Sequence, residues 1–347
     1  MIATRVADLR DGRECGRIDD YVARHADATP FHRPAWSQGI ERGCGQVARY
    51  LVAERAGTIT GVLPLTHMRS ALFGNALVSA GFAVDGGLLV DDAQAAQALA
   101  DAAWDVARRS GCRSVELRGG MVPEGWDAQD GAYLGFRRPL AADDEAEMLA
   151  VPRKQRAELR KGLARPLDVS FARDAAALAT HFRIYGESVR NLGSPVFPAR
   201  LFREMLAAFG DDVDIAIVRH EGEAISSVFN LYFRGTVYPY WGGGTKAARA
   251  LRANDRMYLA LMSHARARGC TTFDFGRSKV GSGPALYKKT WGFEPVPLLY
   301  ARRTAEGAEG RSINPNEPRY QTRVEMWKKL PLWVANRLGP PIARGLG

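Results

Sequence analysis

Two stretches of the chain carry the same order of apolar runs and polar breaks. Around residue 50 the sequence reads RYLVAERAGTITGVLPL, and around residue 215 it reads DIAIVRHEGEAISSVFNL. Each is an apolar run, a polar turn holding Gly57 or Gly222, and a second apolar run, which predicts a β-hairpin. Farther on, ALADAAWDVARRSGCRSVELRG corresponds to YLALMSHARARGCTTFDFGR. Both predict an amphipathic helix, a Gly-Cys stop and a strand, because Gly readily takes the left-handed conformation that ends a helix. Gly111 and Gly269 are 158 residues apart, and Gly135 of YLGF and Gly292 of KTWGF are 157 apart. Landmarks at nearly one offset predict an internal duplication.

Each unit reads strand–strand–(strand)–helix–strand–helix–strand, an α/β plan of the mixed α+β kind. A length of 347 residues suits two cores of ordinary size. The first lobe is expected over 1–150, closing in the acidic, Ala-rich segment 141–150. Residues 151–165 are expected to form a short basic linking helix that ends near Pro166. The second lobe follows over 166–303, and 304–347 is a basic amphipathic tail. In the helix expected over Asp255–Arg268, Met257, Tyr258, Leu261 and Met262 fall at core-facing spacing.

Composition narrows the class. Hydrophobic residues make up 46% and charged residues 25%, as in soluble globular proteins. Met1 to Arg17 lacks the apolar stretch of a secretory leader, and no run of 18 apolar residues exists to span a membrane. Cys15, Cys44, Cys112 and Cys270 are scattered without metal-type spacing, so reduced thiols, no metal and a cytoplasmic location are expected. The net charge of +10 is concentrated: residues 151–165 and 301–347 each carry a net +5, which leaves the rest neutral. Two short basic segments favour a phosphorylated substrate, a nucleic acid or an anionic lipid surface over a general DNA-coating role.

The order of hairpin, central helix, strand and Trp-Gly-Phe turn resembles the GNAT fold. Two such lobes in tandem, joined by a basic helix, resemble the FemAB family of aminoacyl-transferases. Asp274-Phe275-Gly276-Arg277-Ser278-Lys279, followed by Tyr287-Lys288-Lys289-Thr290-Trp291-Gly292-Phe293-Glu294-Pro295, is similar to the most distinctive stretch of the FemAB-related proteins of exosortase/PEP-CTERM loci. Arg190-Asn191-Leu192-Gly193-Ser194-Pro195 resembles their acceptor-side loop. Asn314-Pro315-Asn316-Glu317-Pro318-Arg319-Tyr320 and Leu338-Gly339-Pro340-Pro341 resemble their C-terminus. The resemblance implies transfer of an aminoacyl or acyl group to an amine of a cell-envelope or exopolysaccharide precursor. It also implies that a lysine before the Trp-Gly-Phe turn meets the substrate; Lys288 matches best and Lys289 adjoins it.

Acyl transfer to an amine needs a held donor, a deprotonated amine and charge stabilisation at the developing oxyanion. The chain has no Gly-x-Ser-x-Gly and no reactive-Cys context, so direct attack on a bound ester or thioester fits better than a covalent acyl-enzyme. Lys288 and Lys289 are candidates for stabilising the oxyanion or a donor phosphate, with a solvated pair as the alternative. Asp274 could orient the amine or act as base, or pair with Arg277. Arg277, Ser278 and Lys279 follow a predicted strand, where ligand groups often lie. Tyr240, Trp241 and Asn230 precede or face the Gly242–Gly244 run and could contact substrate or belong to the core. Arg153, Arg156 and Arg160 fall on one helix face, and with Arg190 could grip phosphate.

GNAT enzymes usually hold the CoA pyrophosphate on a glycine-containing loop at the start of the central helix. Here Ala247 to Asn254 reads AARALRAN, and the first lobe offers only Asp85–Leu88 (DGGL). No permanently bound cofactor is expected. The donor is an aminoacyl-tRNA, a carrier-bound acyl group or acyl-CoA, and the acceptor a small or lipid-linked phosphorylated molecule. Two competing readings are a CoA-dependent N-acetyltransferase acting on an amino sugar and a non-catalytic, membrane-docked assembly factor. Residues 324–338, with Trp327, Lys328, Lys329 and Trp333, mix apolar, aromatic and basic side chains. They are expected either to anchor the protein peripherally on the inner face of the membrane or to pack on the second lobe.

Overall fold

The computed structural model describes residues 2–308 and 318–347. Asn314–Glu317 of the tail motif lie outside the described residues. The first part of the chain forms β1 (Ile2–Val6), α1 (Gly12–Arg24), α2 (Pro34–Cys44), β2 (Val47–Arg55), β3 (Thr58–Ser70), β4 (Gly74–Ser79) and β5 (Leu89–Val90). It continues through α3 (Ala93–Arg109), β6 (Ser114–Arg118), β7 (Asp127–Gln129) and β8 (Tyr133–Pro139). After α4 (Asp144–Ala150) and α5 (Arg153–Leu163), the second part forms β9 (Leu167–Ala172), α6 (Ala175–Asn191), α7 (Ala199–Phe209), β10 (Val213–His220) and β11 (Glu223–Phe233). Next come β12 (Thr236–Gly244), α8 (Lys246–Ala250), α9 (Ala253–Ala267), β13 (Thr272–Lys279), α10 (Gly283–Thr290), β14 (Pro295–Pro297) and β15 (Tyr300–Thr304). The tail holds α11 (Pro318–Lys328) and α12 (Leu332–Ala343).

The two predicted hairpins form with the same turn. Ala56-Gly57 and Glu221-Gly222 take φ of 48° and 79°, and 50° and 82°, the paired positive values of the tight turn that matches strand twist. The duplication extends to whole sheets. The first sheet runs β1-β2-β3-β4-β6-β15-β7, with β5 on β3, and the second runs β9-β10-β11-β12-β13-β8-β14. Position for position the two orders match, with α3 and α9 as the equivalent central helices.

Sheet membership crosses the lobe boundaries read from the sequence. β8, placed in the first lobe by its position, pairs with β13 and β14 in the second sheet, and β15 pairs with β6 and β7 in the first. Each half thus lends its last long strand to the other. A shared core reinforces the exchange: Trp36 of α2 stacks on Trp241 of β12 at 5.6 Å and 11°, among Phe31, Phe202 and Phe229. Burying side chains of this size contributes roughly 2–3 kcal/mol each.

The linking helix forms as expected and packs through Gln155, Leu159 and Gly162. The tail packs on the protein: α12 lies against α6, and Gln46 Nε2 donates to Arg344 O at 2.7 Å. No helix of the described residues is long and apolar enough to cross a membrane.

Candidate active site between the two halves

Both sheets open at the same place. β4 and β6 pair in parallel only at Leu77–Val115 and Val78–Glu116, and β12 and β13 only at Thr236–Thr272 and Val237–Phe273. β12 also carries a bulge, because Phe229 faces Trp241 while Asn230 faces Pro239 and Tyr240 is the extra residue. A bulge re-aims side chains and interrupts strand pairing.

The loop after β4 crosses against the second sheet, held carbonyl by carbonyl. Trp36 Nε1 donates to Gly81 O at 3.1 Å, Tyr240 Oη to Phe82 O at 2.8 Å, Arg118 Nη1 to Ala83 O at 2.9 Å, and Tyr300 Oη to Val84 O at 2.8 Å. Ala80 and Phe82 take φ of 40° and 69°, conformations that persist where the surroundings enforce them. Two of these donors depend on exchanged β15: Tyr300 lies on it, and Arg302 on it binds Glu116, which binds Arg118.

This loop presents Asp85, which accepts the Gly86 N–H at 2.7 Å. Asp85, His32, Arg137, Thr236 and Tyr238 line a cavity of about 640 Å³ between the halves. Burial pushes the Asp85 carboxyl up to about 6; the Gly86 N–H opposes this, and the nearby Asp274 carboxylate adds to it. Asp274, in β13, is also raised by burial, against the pull of the Gly276 N–H that it accepts at 2.7 Å and of the Arg137 and Lys288 charges. Arg137 comes from exchanged β8 and faces Asp274 in strand register. The cluster is therefore two carboxyls and a guanidinium, assembled from both halves.

Lys288 reaches this region from behind. Its ammonium donates to the carbonyls of Phe275 at 2.6 Å, Gly276 at 3.3 Å and Arg277 at 3.0 Å. These lie where the β13–β8 register shifts between Asp274 and Arg277. Burial pulls the Lys288 pKa down to about 8, with Asp274 opposing. Arg277 Nη1 donates to Tyr300 Oη at 2.8 Å, and its guanidinium lies 4.5 Å from the Tyr133 ring centroid. It has no carboxylate partner among the described residues, so the expected pairing with Asp274 does not form. Arg277, Tyr300 and Val84 O form a relay that ends beside Asp85.

The other candidates divide. Tyr240 joins the site through Phe82. Ser278 is buried, and its hydroxyl has no hydrogen-bond partner among the described residues. Lys279 ends the strand half-buried, and Lys289 is exposed. Trp241 is core, stacked on Trp36. Asn230 is fully buried and donates to Asp214 at 2.9 Å, in a network with Tyr232 and His264 on the sheet's helix side; an amide so engaged is turned away from the cavity. Arg190 Nη1 donates to Lys328 O at 3.2 Å and holds the tail. Arg153 and Arg160 are exposed on α5, whereas Arg156 turns back to the carbonyls of Leu149 and Val151. Sequence reasoning missed Asp85, Arg137, Arg118 and Tyr300 as site residues; the Asp-Gly-Gly run was the available signal for the first.

Residues 151–289 match the family model described as acetyltransferase (GNAT) domain. No curated protein matches the chain by sequence. Among solved structures, FemX aligns with a TM-score of 0.67 and 15% identity over 86% of this chain and 96% of its own. The tandem GNAT protein from the clavulanic acid biosynthesis pathway gives 0.56 and 14% over 89% and 100%. L-PGS from Bacillus licheniformis gives 0.55 and 12% over 93% and 98%. At such identities the likeness is one of fold. The family match makes residues 151–289 a GNAT acyltransferase domain, and the likeness of fold and the doubled sheet topology give the chain two GNAT-like halves.

Proposed function

We propose that the protein transfers an aminoacyl or acyl group to an amine of a cell-envelope or exopolysaccharide precursor. The observation that carries this reading is a pair of neighbouring carboxyls, Asp85 in the lining of the cavity between the halves and Asp274 close enough to raise its pKa. An amine acceptor arrives as an ammonium, and two acids attract it. Asp85, with a pKa raised to about 6, is ionised at neutral pH and near enough to neutrality for efficient proton transfer. The ammonium gives one proton to Asp85, and the amine attacks the acyl carbonyl. As the bond from carbonyl carbon to the donor's oxygen or sulfur breaks, that atom takes a second proton from the nitrogen. Asp85 returns its proton to water, so the products are an amide, the free donor and one proton.

The donor side argues for a polyanionic carrier. α9 is the helix whose N-terminus would hold a CoA pyrophosphate in the usual GNAT manner. Its first turn carries Asp255, which accepts from Gln155 of α5 at 3.0 Å and Tyr287 of α10 at 2.7 Å. Arg252, just before it, pairs with Glu158 of α5 at 2.5 Å. An acid in the first turn repels a diphosphate, so these residues do not fit CoA held in that way. Around them Arg153, Lys154, Arg160, Lys246 and Arg249 are exposed, a surface suited to an RNA backbone, which supports an aminoacyl-tRNA donor. Apart from the cavity between the halves, a groove of about 880 Å³ is lined by Arg10, Arg42, Arg200 and Arg344 with Glu41, and Arg42 and Arg200 share Glu204. Guanidinium forks suit phosphate, which supports a nucleotide- or lipid-linked acceptor.

The test offers the protein tRNA charged with labelled amino acids, or labelled acetyl-CoA, with nucleotide-linked and lipid-linked amino sugars. Amide-linked label from the tRNA is expected. Label from acetyl-CoA alone would overturn the donor assignment, and acylation of a hydroxyl would overturn the acceptor class.

A further inference from the structure

The contacts of the tail decide which of its side chains are free. α12 buries a stripe of small residues, Ala335, Gly339 and Ala343. A β-carbon on Gly339 would lie 2.9 Å from Val196 N, and one on Gly186 of α6 would lie 2.8 Å from Asn336 Oδ1. A helix packed this closely cannot roll about its axis. α11 is also tied down: Trp327 Nε1 donates to Ser194 O at 3.1 Å and Arg190 Nη1 to Lys328 O at 3.2 Å, while the Lys328 ammonium pairs with Glu325 of its own helix at 2.6 Å. Trp327 and Lys328, two of the sequence-level anchor candidates, are therefore used internally.

What remains outside is consistent in character. Trp333 is 72% exposed, Met326 65% and Leu338 48%, and Leu192, beside the Gly193 that abuts Val324, is 62% exposed. Of seven tryptophans, Trp333 is the one that is exposed. Lys329, Arg337 and Arg344 are exposed on the same tail, and residues 329–347 contain no Asp or Glu.

We propose that this surface docks on an anionic lipid bilayer. Trp333, Leu338 and Met326 enter the interface while Lys329 and Arg337 meet the headgroups. Apolar and aromatic side chains interleaved with cations on a helix lying along the surface are the arrangement of an interfacial anchor. A second copy of the chain suits the patch less well, because symmetric pairing would set cation against cation. The inference stands apart from the donor and acceptor proposed above and needs neither for its test.

The experiment sediments the full chain with phosphatidylcholine vesicles with and without phosphatidylglycerol. Binding to the anionic vesicles is expected to exceed binding to the neutral ones. It should weaken more than about tenfold in Trp333→Ser/Leu338→Ser and in Lys329→Glu/Arg337→Glu, with thermal melting unchanged. No binding by the wild type, or equal binding by all variants, overturns the proposal. A dimer in sedimentation equilibrium that Trp333→Ser dissociates would assign the surface to a second copy and overturn it equally.

Discussion

The loop after β4 and the loop after β12 hold the same place in two halves of one topology, and they are built differently. The first turns at Ala80 and Phe82 without forming a helix, has four consecutive carbonyls gripped by side chains, and ends in Asp85. The second coils into α8 and leads through Arg252 to the start of α9, which carries Asp255 in its first turn. Past the next strands the contrast repeats. After β6, Gly119 and Gly120 press against the 85–88 loop so closely that a β-carbon on Gly87 would lie 2.0 Å from Gly119 O. After β13, α10 intervenes and sends Lys288 to three carbonyls. A duplicated fold starts with two equivalent openings. Here the first half has closed its own and turned the closing loop into a carrier for an acid, while the second keeps the lysine and the basic surface. The division of labour is legible because the frame around it stayed the same.

The sharpest way to break this comparison is to remove the acid. Asp85→Asn is expected to lower the single-turnover rate about 100-fold or more, the scale of a lost general base. The base works deprotonated, so the wild-type rate should rise with pH through about 6 and then level off; the variant should lack that limb. An unchanged profile would move the base to Asp274. A smaller effect compares glycines after equivalent strands. In Gly119→Ala the new β-carbon would meet Asp85 Oδ1 at 2.2 Å, whereas in Gly276→Ala its nearest neighbour is Val84 at 3.9 Å. Both residues have positive φ, so each change costs about 1–2 kcal/mol in urea unfolding. Only Gly119→Ala should also lower the rate, by roughly tenfold. The reverse order would take the acid away from the first half.

Lys288→Met sharpens the role of the second half. Three carbonyls lose their donor, and a loss of about 1–3 kcal/mol is expected. If stability holds and only the rate at saturating donor falls, Lys288 contacts the donor and not merely the bulge. The smallest effect vanishes at neutral pH. Burial pushes His181 down to about 3, below its unfolded value near 6.5. Its contribution to stability is complete above pH 6.5 and is lost as pH falls toward 3. His181→Phe should flatten the acid limb of a melting-temperature profile and leave its neutral end in place.

Much of the frame could be read from the sequence because it rests on local signals. The Ala-Gly and Glu-Gly turns, the Gly-Cys helix stops and the basic run at 151–165 each act within a few residues. Sheet exchange could not, because Tyr133–Pro139 has the same strand pattern whichever sheet it enters. Lys288 was marked by its resemblance to a family motif, but its three carbonyl partners follow from a bulge that no spacing announces. Asp85, Arg137 and Tyr300 lie far apart in sequence and meet only through loop closure. Asn230 and Trp241 suggested ligand contacts by their type, yet burial decided otherwise: one completes the Asp214 network and the other the aromatic core.

The reciprocal strand exchange also sets a timetable during translation. β6 has its partner on one side once β4 is made, but its other neighbour is β15, which follows some 180 residues later. At ribosomal rates that interval is roughly 10–40 s. Throughout it the nascent first half carries an unpaired strand edge, the kind of feature that invites wrong pairing. Tyr300 and Arg302 also arrive only then, so the loop bearing Asp85 cannot be locked until β15 has left the ribosome. Assembly of the Asp85 loop is thereby tied to synthesis of the second half as far as β15.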